Sequence, residues 1–429
     1  MIALTISLLL VILLVMGMPV GFALALSGSV GLLATGGSAL VDGILQTTPL
    51  STANSFELLT VPMFLLMAEF VILSGVADKL FETAARWVGR LPGGLGVATA
   101  LAGAGFGAIS GSSVASAATL SATSIPAMLK QGYEPKLACG VVAISGTLAM
   151  LIPPSIAIVL YGIIAEVSVG KLLIAGIVPG LLVTLTIALT VIFLVALDPS
   201  RAPPGPRYTM REKLASLRVA GPMLLLFAGV TGVIYTGIAT PTEASGIGAF
   251  MAFLLALQAG KMNFQTTLDA LIRAARTTCM VVMIILGAQI FGYFFTLTQA
   301  TQTIVSTISS LEVNRYIVLA LILFIYILLG CFLDTIAILF LTIPIVLPIV
   351  RTLGFDPVWF GILVIVTCEV GLLTPPVGMN CFVVSRYSGQ PLAEVFGGAM
   401  PHVYAHMLLI ALLIAFPQIV LWLPSTMIQ

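Results

Sequence analysis

The sequence predicts an all-α polytopic membrane protein made of two inverted-topology repeats, each with one re-entrant hairpin and one broken helix. Three observations predict it: an apolar composition, basic residues gathered in a few loops, and special residues duplicated at a constant spacing. Of 429 residues, 60% are apolar and 8% are charged, against roughly 25% charged in an ordinary soluble domain. A soluble fold of this length could not cover its surface with so little charge. Soluble globular, disordered and nucleic-acid-binding classes are therefore excluded. Seventeen basic and sixteen acidic side chains nearly cancel. The lipid bilayer is the partner this composition requires, and no nucleic acid is expected. At about 20 residues per span there is room for roughly ten to twelve membrane segments.

The first charge is Asp42. The stretch before it lacks the basic start of a signal peptide and is too long for its apolar core alone. It reads as two spans joined by a tight turn at Gly17-Met18-Pro19. Five cysteines (Cys139, Cys279, Cys331, Cys368, Cys381) lie in apolar stretches without a CxxC pair, as buried free cysteines do. The two histidines, His402 and His406, stand one helical turn apart near the last span. With no third ligand close in sequence, they read as interfacial side chains rather than a metal site.

Basic residues mark the cytoplasmic side. The largest cluster is Arg201, Arg207, Arg211, Lys213 and Arg218 in a Pro-rich loop. Counting spans outwards from it puts the amphipathic stretch 76–92 in the cytoplasm as well. Arg90 and Lys130 then flank an apolar segment, 95–128, that enters and leaves by the same face. Its small, polar middle, GAISGSSVASAATL, survives at membrane depth only where protein covers it or it lines a cavity. Residues 316–350, between Arg315 and Arg351, form the second hairpin, with its base outside. This topology leaves Lys171, Arg315 and Arg351 outside and the other fourteen of the seventeen basic residues inside. Both termini are expected to face outside, as are short loops at about 37–51, 166–171, 236–240, 296–315 and 351–357.

A shift of 222 positions carries Pro19 onto Pro241, Pro126 onto Pro348, and Gly132 onto Gly354. The same shift carries Pro153-Pro154 onto Pro375-Pro376 and Pro179 onto Pro401. A register held that long, with a double proline in it, predicts an internal duplication. The first repeat is expected over 1–215, with scaffold helices in 1–75 and 172–196, hairpin 95–128 and broken helix 136–165. The second is expected over 216–429, with scaffold helices in 217–259 and 403–424, hairpin 316–350 and broken helix 358–388. Repeats of opposite orientation are the usual construction of secondary transporters.

The double prolines lack amide hydrogens, so the carbonyls of Ala149 and Met150, and of Gly371 and Leu372, lose their helical donors. A break near mid-span yields half-helices whose ends offer carbonyls to a cation and amides to an anion. Taken alone, either double proline reads as a packing kink; the duplication and the Ser-rich tips turn the reading toward an ion site. Each hairpin tip falls opposite its own break. Ser110, Gly111, Ser112 and Ser113 form one oxygen-rich tip; Asp334 and Thr335 hold the matching place in the other. Such ligands suit a hard cation like sodium. Asp334 also fits as the N-cap of the second hairpin arm, and the two roles are compatible. No Lys or Arg lies in 91–129 or 316–350, so an anionic substrate would be met by half-helix amides, bound cations and Asn380. Glu69, Glu243 and Glu369 are the other intramembrane acids and are functional candidates. Glu243 follows Thr240-Pro241-Thr242 at a helix start, where a carboxylate is favourable.

With these strings in view, the sequence resembles the large membrane subunit of the tripartite ATP-independent periplasmic (TRAP) transporters. The matching strings are TPTEA (240–244), GxxSGSS (107–113), LD (333–334), IPPS (152–155) and TPPVGMN (374–380). The resemblance runs through essentially the whole chain. It implies an ion-transporter-type elevator fold and sodium-coupled uptake of a carboxylate, of the C4-dicarboxylate, sialic acid or keto acid class. It also implies a periplasmic substrate-binding protein, a separate small four-helix membrane subunit, and the bacterial inner membrane. Residues 76–92 and 261–276 would be the arms joining moving and fixed parts. At least two sodium ions are expected and no organic cofactor. One ion site would use Ser110, Gly111, Ser112, Ser113, Gly146, Ala149 and Met150. The other would use Asp334, Thr335, Cys368, Gly371 and Leu372. Ser112, Ser155, Thr374, Gly378 and Asn380 would face the substrate. The alternatives are a stand-alone ion-coupled carboxylate permease of the same fold, and a membrane-embedded enzyme or structural subunit. An enzyme should show a paired base and nucleophile or a metal cluster, and the sequence carries neither.

Overall fold

The computed structural model describes residues 2–310 and 313–427, all helical or irregular, with no strand among them. Leu311 and Glu312, in the predicted outer stretch 296–315, lie outside the described residues. The first half runs α1 (Ile2–Val15), α2 (Val20–Ala53), α3 (Thr60–Ser74), α4 (Val76–Val88), α5 (Gly94–Ser110), α6 (Ser113–Lys130), α7 (Pro135–Thr147), α8 (Ile156–Ala165) and α9 (Val169–Leu197). The second runs α10 (Met210–Tyr235), α11 (Pro241–Gln258), α12 (Phe264–Leu297), α13 (Ala300–Ser310), α14 (Arg315–Gly330), α15 (Thr335–Thr352), α16 (Pro357–Gly371), α17 (Met379–Ser388), α18 (Leu392–Ala415) and α19 (Gln418–Ser425). Six helices among the described residues are long and apolar enough to cross a membrane. That is fewer than the sequence has room for, because half-helices and most hairpin arms are short.

The duplication is visible in the elements. Shifting α6 by 222 positions lands on α15 at both ends, and α5, α7, α8 and α9 land within two residues of the starts of α14, α16, α17 and α18. The packing follows: α2 lies on α12 as α11 lies on α3, and α8 meets α15 as α17 meets α6. Glycines make the closest crossings. A β-carbon at Gly28 would lie 2.8 Å from the Phe291 backbone nitrogen, and one at Gly21 would lie 2.7 Å from the Met283 carbonyl oxygen. Small residues let membrane helices approach backbone to backbone.

Two expectations about connections need correction. The outer loop expected at 37–51 is helix, since α2 continues to Ala53 and only kinks at Gly37 (φ 77°). The second arm is not 261–276. Asn263 and Thr266 cap a helix that has no proline over its 34 residues, so this stretch merges into α12. The shift that relates the halves carries α4 onto α13 instead. In the first half, Gly75 (φ 69°) separates α3 from α4.

Long-range contacts sort the connecting segments into two ends. The Pro-rich loop packs on α4 and the base of the first hairpin. Gly205 N donates to Gly89 O (3.1 Å), Gln131 Nε2 to Pro203 O (2.9 Å), and Glu134 N to Arg201 O (2.8 Å). Lys213 lies over the Trp87 ring at 5.9 Å. At the second end Arg351 Nη2 donates to Ala165 O (3.0 Å), Tyr161 OH to Pro357 O (2.7 Å), and Arg315 stacks on Phe355 at 5.1 Å. The sequence assigns these groups to opposite faces, the first cytoplasmic. A cysteine at exposed Pro204, in a background without native cysteines, should then resist impermeant thiol reagents in intact cells and label after permeabilisation. Ready labelling from outside would reverse the orientation.

Candidate functional site

Each hairpin ends in a tight, polar turn. At the first tip, Gly111 (φ 56°) closes α5, and Ser112 caps α6 by accepting Ala115 N at 3.4 Å. Ser110 Oγ and Ser116 Oγ hydrogen-bond across the turn at 2.6 Å. At the second tip, Asp334 caps α15 by accepting Ile336 N at 3.1 Å, as a cap residue should. The equivalent positions thus do the same local work with different oxygen donors.

Both tips press on the breaks that the sequence pairs with them. A β-carbon at Gly107 would sit 2.8 Å from Ala149 N, and one at Gly146 would sit 2.8 Å from Ala117 Cβ. In the second half, a β-carbon at Gly330 would lie 2.9 Å from both Cys368 O and Gly371 Cα. Gly378 N donates to Cys331 O at 3.3 Å, tying the second tip to the loop beyond the break.

The breaks are where the double prolines put them, and both Pro-Pro bonds are cis. The carbonyls expected to be free are not all free, however. Ser155, the N-cap of α8, donates its hydroxyl to Met150 O. Gly371 O accepts Thr374 N (3.0 Å), and Leu372 O accepts Asn380 N (3.3 Å). The loops therefore supply the donors that proline removes, which leaves each of these carbonyls its second lone pair.

Ser110, Gly111, Ser112, Met150 and Asp334 line a cavity of about 820 Å³. Its opposite wall is the start of α2 (Pro19–Phe22), Leu65, Ala68, Glu69 and Ile72 of α3, and Thr277–Ile284 of α12. Ser155, Thr374, Gly378 and Asn380 do not line it: Ser155 and Asn380 are fully buried behind it, and Thr374 bonds back to Val370 O at 2.7 Å. Asn380 Nδ2 reaches Ala143 O at 3.4 Å. Apart from Thr277 the α2 and α12 walls are apolar, so no sequence signal marks them. Glu69 stands out only as an intramembrane acid.

Ser113 Oγ and Thr335 Oγ1 occupy equivalent positions, are fully buried, and have no hydrogen-bond partner. Both oxygens of buried Glu369, beside the second break, also lack one. Buried polar atoms are usually satisfied, so such exceptions call for a ligand or another cause. Glu243 is surface-exposed and completes a capping box with Thr240. The histidines are not interfacial: both are fully buried on α18, where His406 Nδ1 lies 2.9 Å from His402 O. Sequence spacing alone could not show that α18 is covered by α7, α9, α16 and α17.

Comparison with known proteins adds an independent line. Residues 7–419 match the family model described as "Tripartite ATP-independent periplasmic transporter, DctM component". The chain is 38% identical over 375 residues, 87% of each chain, to the C4-dicarboxylate TRAP transporter large permease protein DctM of Pseudomonas aeruginosa. It is 32% identical over 410 residues, 95% of each chain, to the sialic acid TRAP transporter large permease protein SiaM of Vibrio cholerae. Among solved structures, the YdaH transporter of Alcanivorax borkumensis shares the fold. The TM-score is 0.66 at 15% identity, over 88% of this chain and 89% of that one.

Proposed function

The chain belongs to the tripartite ATP-independent periplasmic transporter family as its DctM component, the large permease, and on that premise we propose that it moves a carboxylate into the cell together with sodium. It is a transport subunit, not an enzyme, as its relatives are. The relatives' names point to C4-dicarboxylates or sialic acids as the substrate class. The observation that carries the reading is the pair of equivalent buried hydroxyls, Ser113 and Thr335, unpartnered at the two tips. Oxygen donors beside helix breaks fit a hard, weakly held cation.

In this reading one sodium ion is held by the first tip and the 146–150 break, the other by Asp334, Thr335 and the 368–372 break. The ions supply positive charge where, among the described residues, no Lys, Arg or His lines the cavity. Ser112, which lines the cavity, faces the substrate. The hairpins and broken helices move as one body against a scaffold of α2, α3, α11 and α12, and the cavity between the two bodies is the route. The protein sits in the bacterial inner membrane with its termini in the periplasm. It works with a small four-helix membrane subunit and a periplasmic binding protein.

Purified with its small subunit in proteoliposomes under a sodium gradient, the chain should transport little until the cognate binding protein is added. The carboxylate to supply is whichever one raises the melting temperature of that binding protein. Full uptake by the membrane component alone at micromolar substrate would favour the stand-alone permease.

A further inference from the structure

The cavity carries two carboxylates, Glu69 and Asp334, and no Lys, Arg or His among its lining residues. An anion entering it would be repelled unless both are offset. Asp334 caps the N-terminus of α15, where the helix dipole favours negative charge. Glu69 is offset differently. Arg273 Nε donates to Glu69 Oε2 at 2.7 Å. Arg273 stands on α12, one helical turn before the cavity residue Thr277. Its side chain is 48% exposed against 20% for Glu69, and a guanidinium has further N–H groups in a fork that matches a carboxylate.

The pair breaks the internal symmetry. The positions equivalent to Arg273 and Glu69 are Ser51 and Phe291, which cannot form an ion pair. Beside them, the Thr52 hydroxyl donates to Gln289 Oε1 at 2.6 Å. One end of the scaffold is therefore tied by a charged pair and the other by a neutral one. In an inverted repeat the two openings of the route are made from equivalent residues. A charged pair that joins the two halves at one of two equivalent crossings, and is replaced by Ser51 and Phe291 at the other, marks one opening. Lys261, just before α12, has its Nζ beside Gly75 at the start of α4. The pair accordingly lies toward the end that holds α4 and the Pro-rich loop.

We propose that Arg273, restrained by Glu69, is a specificity-determining residue at this opening: it draws a carboxylate toward the inner mouth, and Glu69 limits how tightly it is held. The proposal rests on the anionic-substrate reading above, but its electrostatic core can be tested without a substrate. Cys279 is exposed and lines the same cavity, whereas the other four cysteines are buried. Purified protein would be treated with the anionic sulfonatoethyl and the cationic trimethylammonium-ethyl methanethiosulfonate, and Cys279 modification would be read by peptide mass spectrometry. The anionic-to-cationic rate ratio should rise roughly fivefold in Glu69→Gln and fall roughly fivefold in Arg273→Gln. It should return near wild type in the double variant and stay unchanged in Thr52→Val. A loosened fold would speed both reagents together and leave the ratio unmoved. Ratios within twofold of wild type in both single variants would overturn the proposal. Shifted ratios in a protein that transports no anion would leave the pair's field intact and sink the transport reading instead.

Discussion

Gly398→Leu should leave almost no monodisperse subunit in detergent extracts. A β-carbon built at Gly398 meets the Lys136 carbonyl and Gly140 Cα, and one at Gly140 meets the Gly398 carbonyl. All of these are backbone atoms of two helices, α7 and α18, that cannot swing aside as a side chain could. Overpacking a well-filled core costs about 1–3 kcal/mol. A larger side chain forced between two backbones at a buried crossing should lie at or beyond the top of that range, enough to unfold a marginally stable protein. Gly221→Leu is the control, because nothing lies within 4 Å of a β-carbon there. Size-exclusion profiles and melting temperatures of the two variants decide the point. A Gly398→Leu protein with a wild-type profile and melting temperature would show that the crossing is looser than described.

The tips and breaks were legible in the sequence because their chemistry is local. Pro153-Pro154 and Pro375-Pro376 remove donors wherever the chain goes, and Gly111 closes α5 through its own conformation. The duplication was legible because proline and glycine constraints survive when apolar residues drift. What the sequence hid depends on distant partners. Arg273 and Glu69 are 204 positions apart, so the acid could be marked as a candidate but not paired. The fate of the Met150 and Leu372 carbonyls turns on where Ser155 and Asn380 return. His402 and His406 look interfacial at the start of a last span, and only the packing of α18 buries them. The continuity of α12 was missed because a charged, amphipathic start reads as a separate arm. Yet no residue from Phe264 to Leu297 stops the helix.

Thr335→Val and Ser113→Ala should each weaken sodium binding at least tenfold, and the double variant should lose sodium-driven uptake. Both hydroxyls are buried without a partner. Were they mere packing groups, removing them would be neutral or stabilising, because an unsatisfied buried polar atom costs about 1–3 kcal/mol. Were they cation ligands, the gain would appear only where the cation is absent. A bound ion stabilises the folded state by about 2.7 kcal/mol at a hundred times its dissociation constant, so the two cases predict opposite signs in sodium. The most direct measurement is the melting temperature of purified wild type and Thr335→Val, titrated in sodium chloride against choline chloride at constant ionic strength. Wild type should be stabilised by sodium and not by choline, while the variant melts no lower than wild type in choline and gains much less from sodium. A wild type indifferent to sodium, or a variant whose sodium titration overlays it, would contradict a cation at the hairpin tips.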